Sequence, residues 1–354
     1  MPRALIIGGT GLVGRAAARR LLDTGWSVDV TGRDASHLPS AIADTTFTTA
    51  DRDDAAALRR ALGGGVDLLV DCLCYTPAQA RLLLPLMDDV GSTVMISSKA
   101  VYVDDHGNHT NSPVAPHFNG PVTETQPTMT AGDGDFQTRE GYGANKVAAE
   151  NLLLDSGAPV TVLRPSKIHG AGALRPREWV FVKRALDRRP AVFLAARGAG
   201  TDHTTAAVNL AALIEAVAAH PGRRILNSAD PDAPSALEIS RAIARALGHT
   251  WTEVLLDETD GNALGAHPWE ARYPIVLDMT AAATIGYVPV GDYATTVVDE
   301  VDWLVPQVKP AGTGDGAGGV RLPAGLDADF FDGYFDYPRE DRYLADHHPD
   351  ADAG

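Results

Sequence analysis

Short apolar runs alternate with longer amphipathic stretches through the first half of the chain. The apolar runs predict six strands, at 4–7, 27–31, 45–49, 67–71, 93–97 and 160–164. The intervening stretches predict helices at 12–24, 53–62, 77–89 and 141–156, with a weaker helical signal at 35–43. Because apolar strands that alternate with helices form a parallel sheet covered on both faces, the pattern predicts a doubly wound α/β fold.

The alternation loosens after residue 165. Helical patterns continue at 178–188, 206–220, 236–247, 280–285 and 293–304, and two short strand patterns lie at 223–227 and 251–256. We therefore predict a first domain at 1–165 and a smaller lobe at 166–308 that is interleaved with the main sheet.

Residues 309–354 are predicted to form a linker and a tail. The stretch 310–319 contains five glycines, which is typical of a flexible linker. Residues 327–352 hold nine acidic residues and two arginines, with six aromatic residues among them. A tail that only solvates the protein does not need aromatic side chains. We expect part of it to dock on the body of the protein or on a second copy, and the sequence leaves a homodimer open.

A glycine-rich turn follows the first predicted strand. The strand at 4–7 runs directly into Gly8, Gly9, Thr10, Gly11, Leu12, Val13 and Gly14. Glycines at this spacing permit a sharp turn, a close approach of the backbone to a pyrophosphate, and tight packing of the next helix on the strand. The amides at the start of that helix favour an anion. The turn therefore predicts a dinucleotide site.

Charge and cysteine content narrow the class of partner. The net charge is −16, which argues against nucleic acids and anionic membranes as partners. No apolar run approaches the length needed to cross a bilayer, and the first one is too short for a signal peptide. The two cysteines, Cys72 and Cys74, indicate reduced thiols in a cytoplasmic protein rather than a disulfide or a metal site.

Three further motifs carry chemistry. Ser97 and Ser98 follow the fifth strand, Tyr142 and Lys146 lie four apart on a helix, and Arg164-Pro165 ends the sixth strand. Residues four apart on a helix share a face, so the lysine can favour ionisation of the phenol. Such a tyrosine can exchange a proton with a carbonyl or alcohol oxygen while a nicotinamide carries hydride. The pair alone is also common on ordinary helix faces.

The order of these motifs resembles the extended short-chain dehydrogenases/reductases of the NAD-dependent epimerase/dehydratase group, over roughly residues 3–305. The resemblance implies a Rossmann-type sheet and a catalytic set of Ser98, Tyr142 and Lys146. It implies that Ser97 is structural. It also implies cofactor contacts from residues beyond the glycine turn, namely Asp51, Arg52, Cys72 and Pro165.

The end of the second strand bears on the choice of cofactor. Gly32 occupies the position where relatives that prefer NAD place a carboxylate, and Arg33 follows it. A glycine followed by an arginine suits a ribose 2′-phosphate, so NADP is favoured over NAD. Arg33 is also a residue type common in solvated turns.

The resemblance narrows the reaction but leaves the substrate open. Lys99 and Ala100 follow Ser98, where the family's dehydratases carry an Asp-Glu pair, so dehydration is discarded. A ketoreductase is favoured, with an epimerase that retains NAD and a non-catalytic dinucleotide sensor as alternatives. The substrate is expected to be a small molecule, a sugar or nucleotide-sugar-like compound. Candidate substrate contacts are Lys99, His169, Arg175, Arg177 and His203, although both histidines also suit roles without chemistry.

The segment between Val103 and Glu140 is long and polar, with four prolines and three histidines. Long loops in compact domains are usually functional or disordered. We expect this loop to cover the substrate. The pair His106 and His109 lacks a matched third ligand, so no metal site is predicted.

Overall fold

A computed structural model describes residues 1–257, 264–310 and 319–347. Its strands are β1 (Arg3–Ile7), β2 (Ser27–Gly32), β3 (Thr46–Thr49), β4 (Val66–Asp71), β5 (Val90–Ile96), β6 (Val160–Pro165), β7 (Lys167–His169), β8 (Ala191–Leu194), β9 (Thr204–Ala206), β10 (Arg224–Ser228), β11 (Thr252–Leu255), β12 (Lys309–Pro310) and β13 (Val320–Arg321). Its α-helices are α1 (Leu12–Asp23), α2 (Ala55–Leu62), α3 (Pro77–Leu83), α4 (Arg139–Leu154), α5 (Trp179–Leu186), α6 (Ala207–Ala219), α7 (Ala236–Ala246), α8 (Thr280–Ala283), α9 (Tyr293–Leu304) and α10 (Tyr337–His347).

The chain divides into two compact units, and each unit is assembled from three separate segments of the sequence. Unit 1 comprises Met1–Ile168, His203–Pro231 and Ile275–Gly291. Unit 2 comprises the described residues of His169–Asp202, Asp232–Pro274 and Asp292–Gly354. Among the described residues, no helix has both the length and the apolar character that a bilayer crossing needs.

Unit 1 is built on a seven-stranded parallel sheet in the order β10-β6-β5-β4-β1-β2-β3. Alternate side chains of β1 enter two different cores: Ala4 and Ile6 pack with α1 and α6, while Leu5 and Ile7 pack with α2, α3 and α4. Both faces are therefore covered by helices, which confirms the doubly wound, Rossmann-type α/β fold. The addition of β10 beside β6 brings a strand from the second half of the chain into the main sheet.

Two predicted helices differ from what the structure shows. The stretch 35–43 is two 3₁₀ turns, Ala35–His37 and Ser40–Ile42, because Pro39 between them has no amide hydrogen to donate. The prediction at 77–89 is an α-helix only to Leu83, and Leu84–Asp89 continues as a 3₁₀ helix. Pro85 explains the change, since it cannot make the next α-helical hydrogen bond.

Unit 2 contains the parallel pair β8 and β11 and a core in which α5, α7 and α9 pack together. The tail docks on this unit. Arg184 on α5 donates hydrogen bonds of 2.7 Å to the Tyr334 carbonyl and to the Glu340 carboxylate, and Tyr337 donates one of 2.7 Å to Asp187. This confirms the expectation that part of the tail docks on the body of the protein. Most of the predicted linker, 311–318, and residues 348–354 lie outside the described residues.

Candidate active site

The glycine turn connects β1 to α1 at the carboxyl edge of the sheet. Gly8 has a φ of +83°, in the region where only glycine is unstrained. A Cβ on Gly14 would lie 2.3 Å from the Gly8 carbonyl oxygen, so only glycine permits this approach of helix to strand. Helix α1 starts at Leu12, which leaves the amides of Leu12, Val13 and Gly14 without acceptors inside the helix. These features provide an anion site at the turn, with Thr10 and Gly11 beside it.

Parallel strands carry the other predicted residues to the same edge. Cys72 follows β4, Ser98 lies just after β5 and Pro165 ends β6. The Cys72 amide donates a hydrogen bond of 3.1 Å to the Ile7 carbonyl, directly before the glycine turn. Burial raises the pKa of the Cys72 thiol, which keeps it protonated.

Toward the end of β2, the two carboxylates that lie near Arg33 in the sequence accept hydrogen bonds from other groups. Asp29 accepts a hydrogen bond of 2.7 Å from Arg3 Nε, and Asp34 accepts one of 2.8 Å from the Ser36 amide. Arg33 is exposed, and no hydrogen bond or ion pair joins it to any residue that the structure describes. A Cβ on Gly32 would lie 3.1 Å from the Phe47 ring, so this position is closely packed.

Asp51 and Arg52, two of the expected cofactor contacts, differ in what they touch. Asp51 is exposed and accepts a hydrogen bond of 2.9 Å from the Asp53 amide. Arg52 is buried, and its Nη2 lies 2.5 Å from Asp71 Oδ2 and 2.9 Å from the Gln79 carbonyl oxygen. The Arg52 guanidinium thus pairs with Asp71 inside unit 1, a contact that the sequence did not indicate.

Ser98 and Tyr142 come together in unit 1. Tyr142 lies in the first part of α4, whose start is capped by the Thr138 hydroxyl. Burial raises the pKa of the Tyr142 phenol, and the nearby Ser98 hydroxyl opposes that increase. Ser98 Oγ also accepts a hydrogen bond of 3.1 Å from the Ala100 amide, which orients it.

Lys146 lies one helical turn after Tyr142 and is buried. Its Nζ donates hydrogen bonds of 2.8 Å to the Cys74 carbonyl and 2.9 Å to the Ile96 carbonyl. The centroid of the Tyr142 ring is 6.0 Å from Nζ, and that of the Tyr75 ring is 4.2 Å away. Burial lowers the pKa of Lys146 to about 8, so the ammonium form still predominates at neutral pH.

The neighbouring Ser97 faces a different network. Its hydroxyl donates a hydrogen bond to Glu150, and Glu150 pairs with Arg164 Nη2 at 2.5 Å. All three residues are buried, and Arg164 also lies over the Tyr102 ring. These contacts support the structural role expected for Ser97 and assign the arginine of the Arg-Pro motif to the same network.

The predicted substrate contacts are divided between the units. In unit 1, Lys99 is buried, and both ring nitrogens of His203 are engaged: Nδ1 accepts from the Leu277 amide and Nε2 donates to the Asp230 carbonyl. In unit 2, Arg175 donates to Asp327 at 2.7 Å and lies over the Phe330 ring. Arg177 lies close enough to Glu178 and Glu300 to affect its pKa.

His169 belongs to a buried cluster in unit 2. Ligand-type atoms of His169, Glu178 and Glu300 lie within 4.8 Å of one another. The Gly170 amide donates to Glu300 at 2.5 Å, and the Tyr293 hydroxyl donates to Glu178 at 3.2 Å. Burial and the nearby Glu178 raise the pKa of Glu300 well above its ordinary range. Sequence reasoning identified only His169 of this group.

The long loop is organised around Asp104. Its carboxylate accepts hydrogen bonds from the amides of His106, Asn108 and His117, at 2.8 to 2.9 Å. These bonds lower the pKa of Asp104 to about 2.

Closer to α4, the Phe136 ring stacks on Tyr75 with centroids 5.7 Å apart. Sequence reasoning missed Tyr75 and Phe136, and the only available signal was an aromatic residue just after β4.

Solved structures with a similar fold cover most of the chain. The UDP-glucose 4-epimerase of Thermus thermophilus, in complex with NAD, is 18% identical with a TM-score of 0.62, over 85% of this chain and 98% of that one. The dTDP-glucose 4,6-dehydratase of Bacillus anthracis, also with NAD, is 15% identical with a TM-score of 0.65, over 86% and 96%. A putative epimerase of Burkholderia cenocepacia is 21% identical with a TM-score of 0.65, over 85% and 97%.

At these identities the likeness shows the fold. No curated protein matches the chain. The NAD dependent epimerase/dehydratase family matches residues 4–198, which is more than half of the chain and includes the glycine turn, Ser98, Tyr142 and Lys146. The expected resemblance is therefore confirmed, and the chain belongs to the NAD-dependent epimerase/dehydratase family.

Proposed function

We propose that the chain is an NAD(P)-dependent oxidoreductase that transfers hydride at a carbonyl or alcohol carbon of a sugar or nucleotide-sugar-like substrate, with ketone reduction favoured. The observation that carries the proposal is the arrangement in unit 1 of Tyr142 near the Ser98 hydroxyl and beside the buried ammonium of Lys146. Each group has the chemistry required for proton exchange at a reacting oxygen.

The residues present fit a bound dinucleotide. The positive φ of Gly8, the close approach at Gly14 and the free amides at the start of α1 form a cradle that a side chain at these positions would fill. When bound, the nicotinamide supplies or accepts the hydride. Gly8, Thr10, Gly11, Leu12, Val13 and Gly14 would hold the pyrophosphate, with Cys72 and Pro165 at the same edge of the sheet.

Tyr142, Ser98 and Lys146 then have different roles in the proton transfer. In reduction, the Tyr142 hydroxyl donates its proton to the substrate oxygen, and the Ser98 hydroxyl donates a hydrogen bond to the same oxygen. The phenolate that remains is stabilised by the Lys146 ammonium, whose Nζ lies 6.0 Å from the ring centroid. Alcohol oxidation uses the same groups in the opposite direction.

Replacement of Tyr142 tests this assignment. We expect Tyr142→Phe to lower kcat by about 10²- to 10⁴-fold because the phenol is the proton donor. Its affinity for NADPH, measured by calorimetry, is expected to stay within about twofold, since the glycine turn is untouched. The assay follows NADPH oxidation with a panel of 4-keto nucleotide sugars and free ketoses. Full turnover by the variant would show that Tyr142 is not the acid.

NADP remains the favoured cofactor. The support is an exposed Arg33 beside Gly32, with Asp29 and Asp34 held by other groups. The similar structures named above contain NAD, which makes a direct comparison necessary. We expect Arg33→Ala to weaken NADPH binding about tenfold and NADH binding much less, because one charge-assisted contact is lost. Arg60→Ala, another exposed arginine, is the control; equal loss for both cofactors would contradict the preference.

Dehydration and epimerisation are distinguished by product and cofactor analysis. A dehydratase is among the similar structures, so the fold does not argue against dehydration, and the argument rests on Lys99 and Ala100 after Ser98. Mass spectrometry of the products would reveal a loss of water. The epimerase alternative is equally compatible with the fold, which an NAD-bound 4-epimerase shares. NAD retained by the purified protein would support it, whereas an empty protein that binds NADPH would support the reductase.

A further inference from the structure

We propose that Tyr75 is a positioning residue of this site: its ring face holds the Lys146 side chain in the ammonium form and in place beside Tyr142. The inference rests on the proposed function, because Lys146 acts on the reaction through Tyr142. It adds a residue that no sequence motif of the site contains.

The contacts around Lys146 carry the inference. Two of its three N–H groups donate to the carbonyls of Cys74 and Ile96, and Nζ lies 4.2 Å from the Tyr75 ring centroid. This is inside the distance at which an aromatic face attracts a cation, and the attraction is stronger where water is excluded. The side chain of Lys146 is 2% exposed, so the ring takes the place of water.

The other titratable groups near Lys146 do not by themselves balance the charge of its ammonium. The groups that affect it are Asp71, Glu150, Cys72 and Cys74, with Tyr142 one turn away on the same helix. Asp71 is paired with Arg52, and Glu150 with Arg164. Burial keeps both thiols protonated by raising their pKa values. The ammonium therefore depends on carbonyl dipoles and on the Tyr75 ring.

The Tyr75 ring is itself held in position. The Tyr75 amide donates a hydrogen bond of 2.8 Å to Gln79 Oε1, within the capping box that starts α3. The Phe136 ring stacks on Tyr75 at an interplanar angle of 24°, and the Tyr142 centroid is 6.4 Å from that of Tyr75. Burial raises the pKa of Tyr75 to about 12, so its hydroxyl stays protonated and its ring, not a charge, faces Lys146.

The test compares Tyr75→Leu with Tyr75→Phe in alcohol oxidation with NADP⁺, where Tyr142 accepts the proton. Without the ring, the Lys146 pKa falls, the ammonium is lost, and the Tyr142 pKa rises. We expect the acid limb of the kcat profile to move to higher pH by about 0.5 to 1 unit in Tyr75→Leu. Tyr75→Phe keeps the ring, and its profile is expected to match that of the parent protein.

A second variant protects the test against misfolding. Phenylalanine with a fully fluorinated ring at position 75 keeps the shape but reverses the charge distribution of the ring face. It should shift the profile as Tyr75→Leu does. If both ring-altering variants keep the parent profile while Tyr142→Phe is inactive, the Tyr75 inference is wrong and the proposed function stands. If Tyr142→Phe is active, the proposed function fails first.

The ionisation of Tyr142 gives a readout that requires no substrate. Ultraviolet titration of tyrosinate, taken as the difference between each protein and its Tyr142→Phe counterpart, isolates Tyr142. We expect a higher Tyr142 midpoint in Tyr75→Leu than in Tyr75→Phe. Equal midpoints would overturn the inference.

Discussion

Each unit contains a buried ionisable side chain, Lys146 in unit 1 and Glu300 in unit 2, and the groups beside these two side chains differ. In unit 1, Lys146 is 2% exposed and keeps its ammonium, because carbonyl oxygens and an aromatic ring surround it. In unit 2, Glu300 is 0% exposed and has a raised pKa, because it is buried and a second carboxyl, that of Glu178, lies beside it. Burial penalises charge at both places, and the partners decide whether the group stays ionised.

The difference matters for function. A buried cation can act on a neighbouring phenol, as proposed for Lys146, and its pKa of about 8 leaves it charged at neutral pH. A buried carboxyl with a raised pKa holds its proton to a higher pH than an exposed carboxyl does. Its effect is on the stability of the folded protein, through the proton it retains.

Removal of the buried cation should have the largest effect on activity. We expect Lys146→Met to lower kcat by about 10²- to 10⁴-fold, since Tyr142 loses its positive neighbour. The free energy of unfolding should change by no more than about 2 kcal/mol, because the variant loses a costly buried charge as well as two hydrogen bonds. Steady-state kinetics and urea unfolding of the same preparation measure both. Loss of the fold together with activity would show that Lys146 is structural.

Replacement of Glu300, whose pKa is raised, should instead change stability. A carboxyl with a folded pKa above the unfolded value of 4.5 stabilises the protein below that pH, and the contribution is lost as pH rises through the folded pKa. Glu300→Gln keeps an acceptor for Gly170 and removes this loss. We expect the variant to be more stable than the parent by about 1 kcal/mol at neutral pH.

Urea unfolding at several pH values above 4.5 checks the sign of this effect. The advantage of Glu300→Gln should grow as pH increases. Asp104→Asn is a suitable contrast, because the pKa of Asp104 is lowered, to about 2, and its contribution is lost only in acid. An advantage of Glu300→Gln that does not vary with pH would mean that Glu300 is ionised in the folded protein.

The smallest effect is expected at the edge of the same cluster. Tyr293→Phe removes the 3.2 Å hydrogen bond to Glu178 and leaves the ring beside His169. We expect it to destabilise the protein by about 0.5 kcal/mol, measured by urea unfolding, because the bond is long. A much larger loss would indicate that the Tyr293 hydroxyl is required to hold Glu178 and Glu300 in place.

Much of unit 1 follows from local patterns. The strands at its centre are apolar on both faces, and the glycine turn requires specific residues at fixed offsets, so both could be predicted. The two helical errors arose at Pro39 and Pro85, where a missing amide hydrogen outweighed the helical pattern. Ser98, Tyr142 and Lys146 could be selected because a family motif specifies their order along the chain.

The other buried contacts in each unit depend on distant parts of the chain. Lys146 meets the Cys74 carbonyl across 72 residues, and Ser97 meets Glu150 across 53. Glu178 and Glu300 are separated by more than a third of the chain and still adjoin. No periodic pattern in the sequence reveals such pairs, because each of these residues is of a type that is common in ordinary helices and loops.

The sequence by itself determined the parallel sheet, the turn suited to a dinucleotide, and the residue types for proton exchange at a carbonyl. These features depend on backbone geometry and on short spacings between residues, and both can be read directly from the order of the amino acids. Only the tertiary structure decided that Arg52 pairs with Asp71, that Tyr75 faces Lys146, and that Glu300 shares a site with Glu178. The physical reason is that the charge state of a buried group is set by its neighbours in space, and folding alone chooses those neighbours.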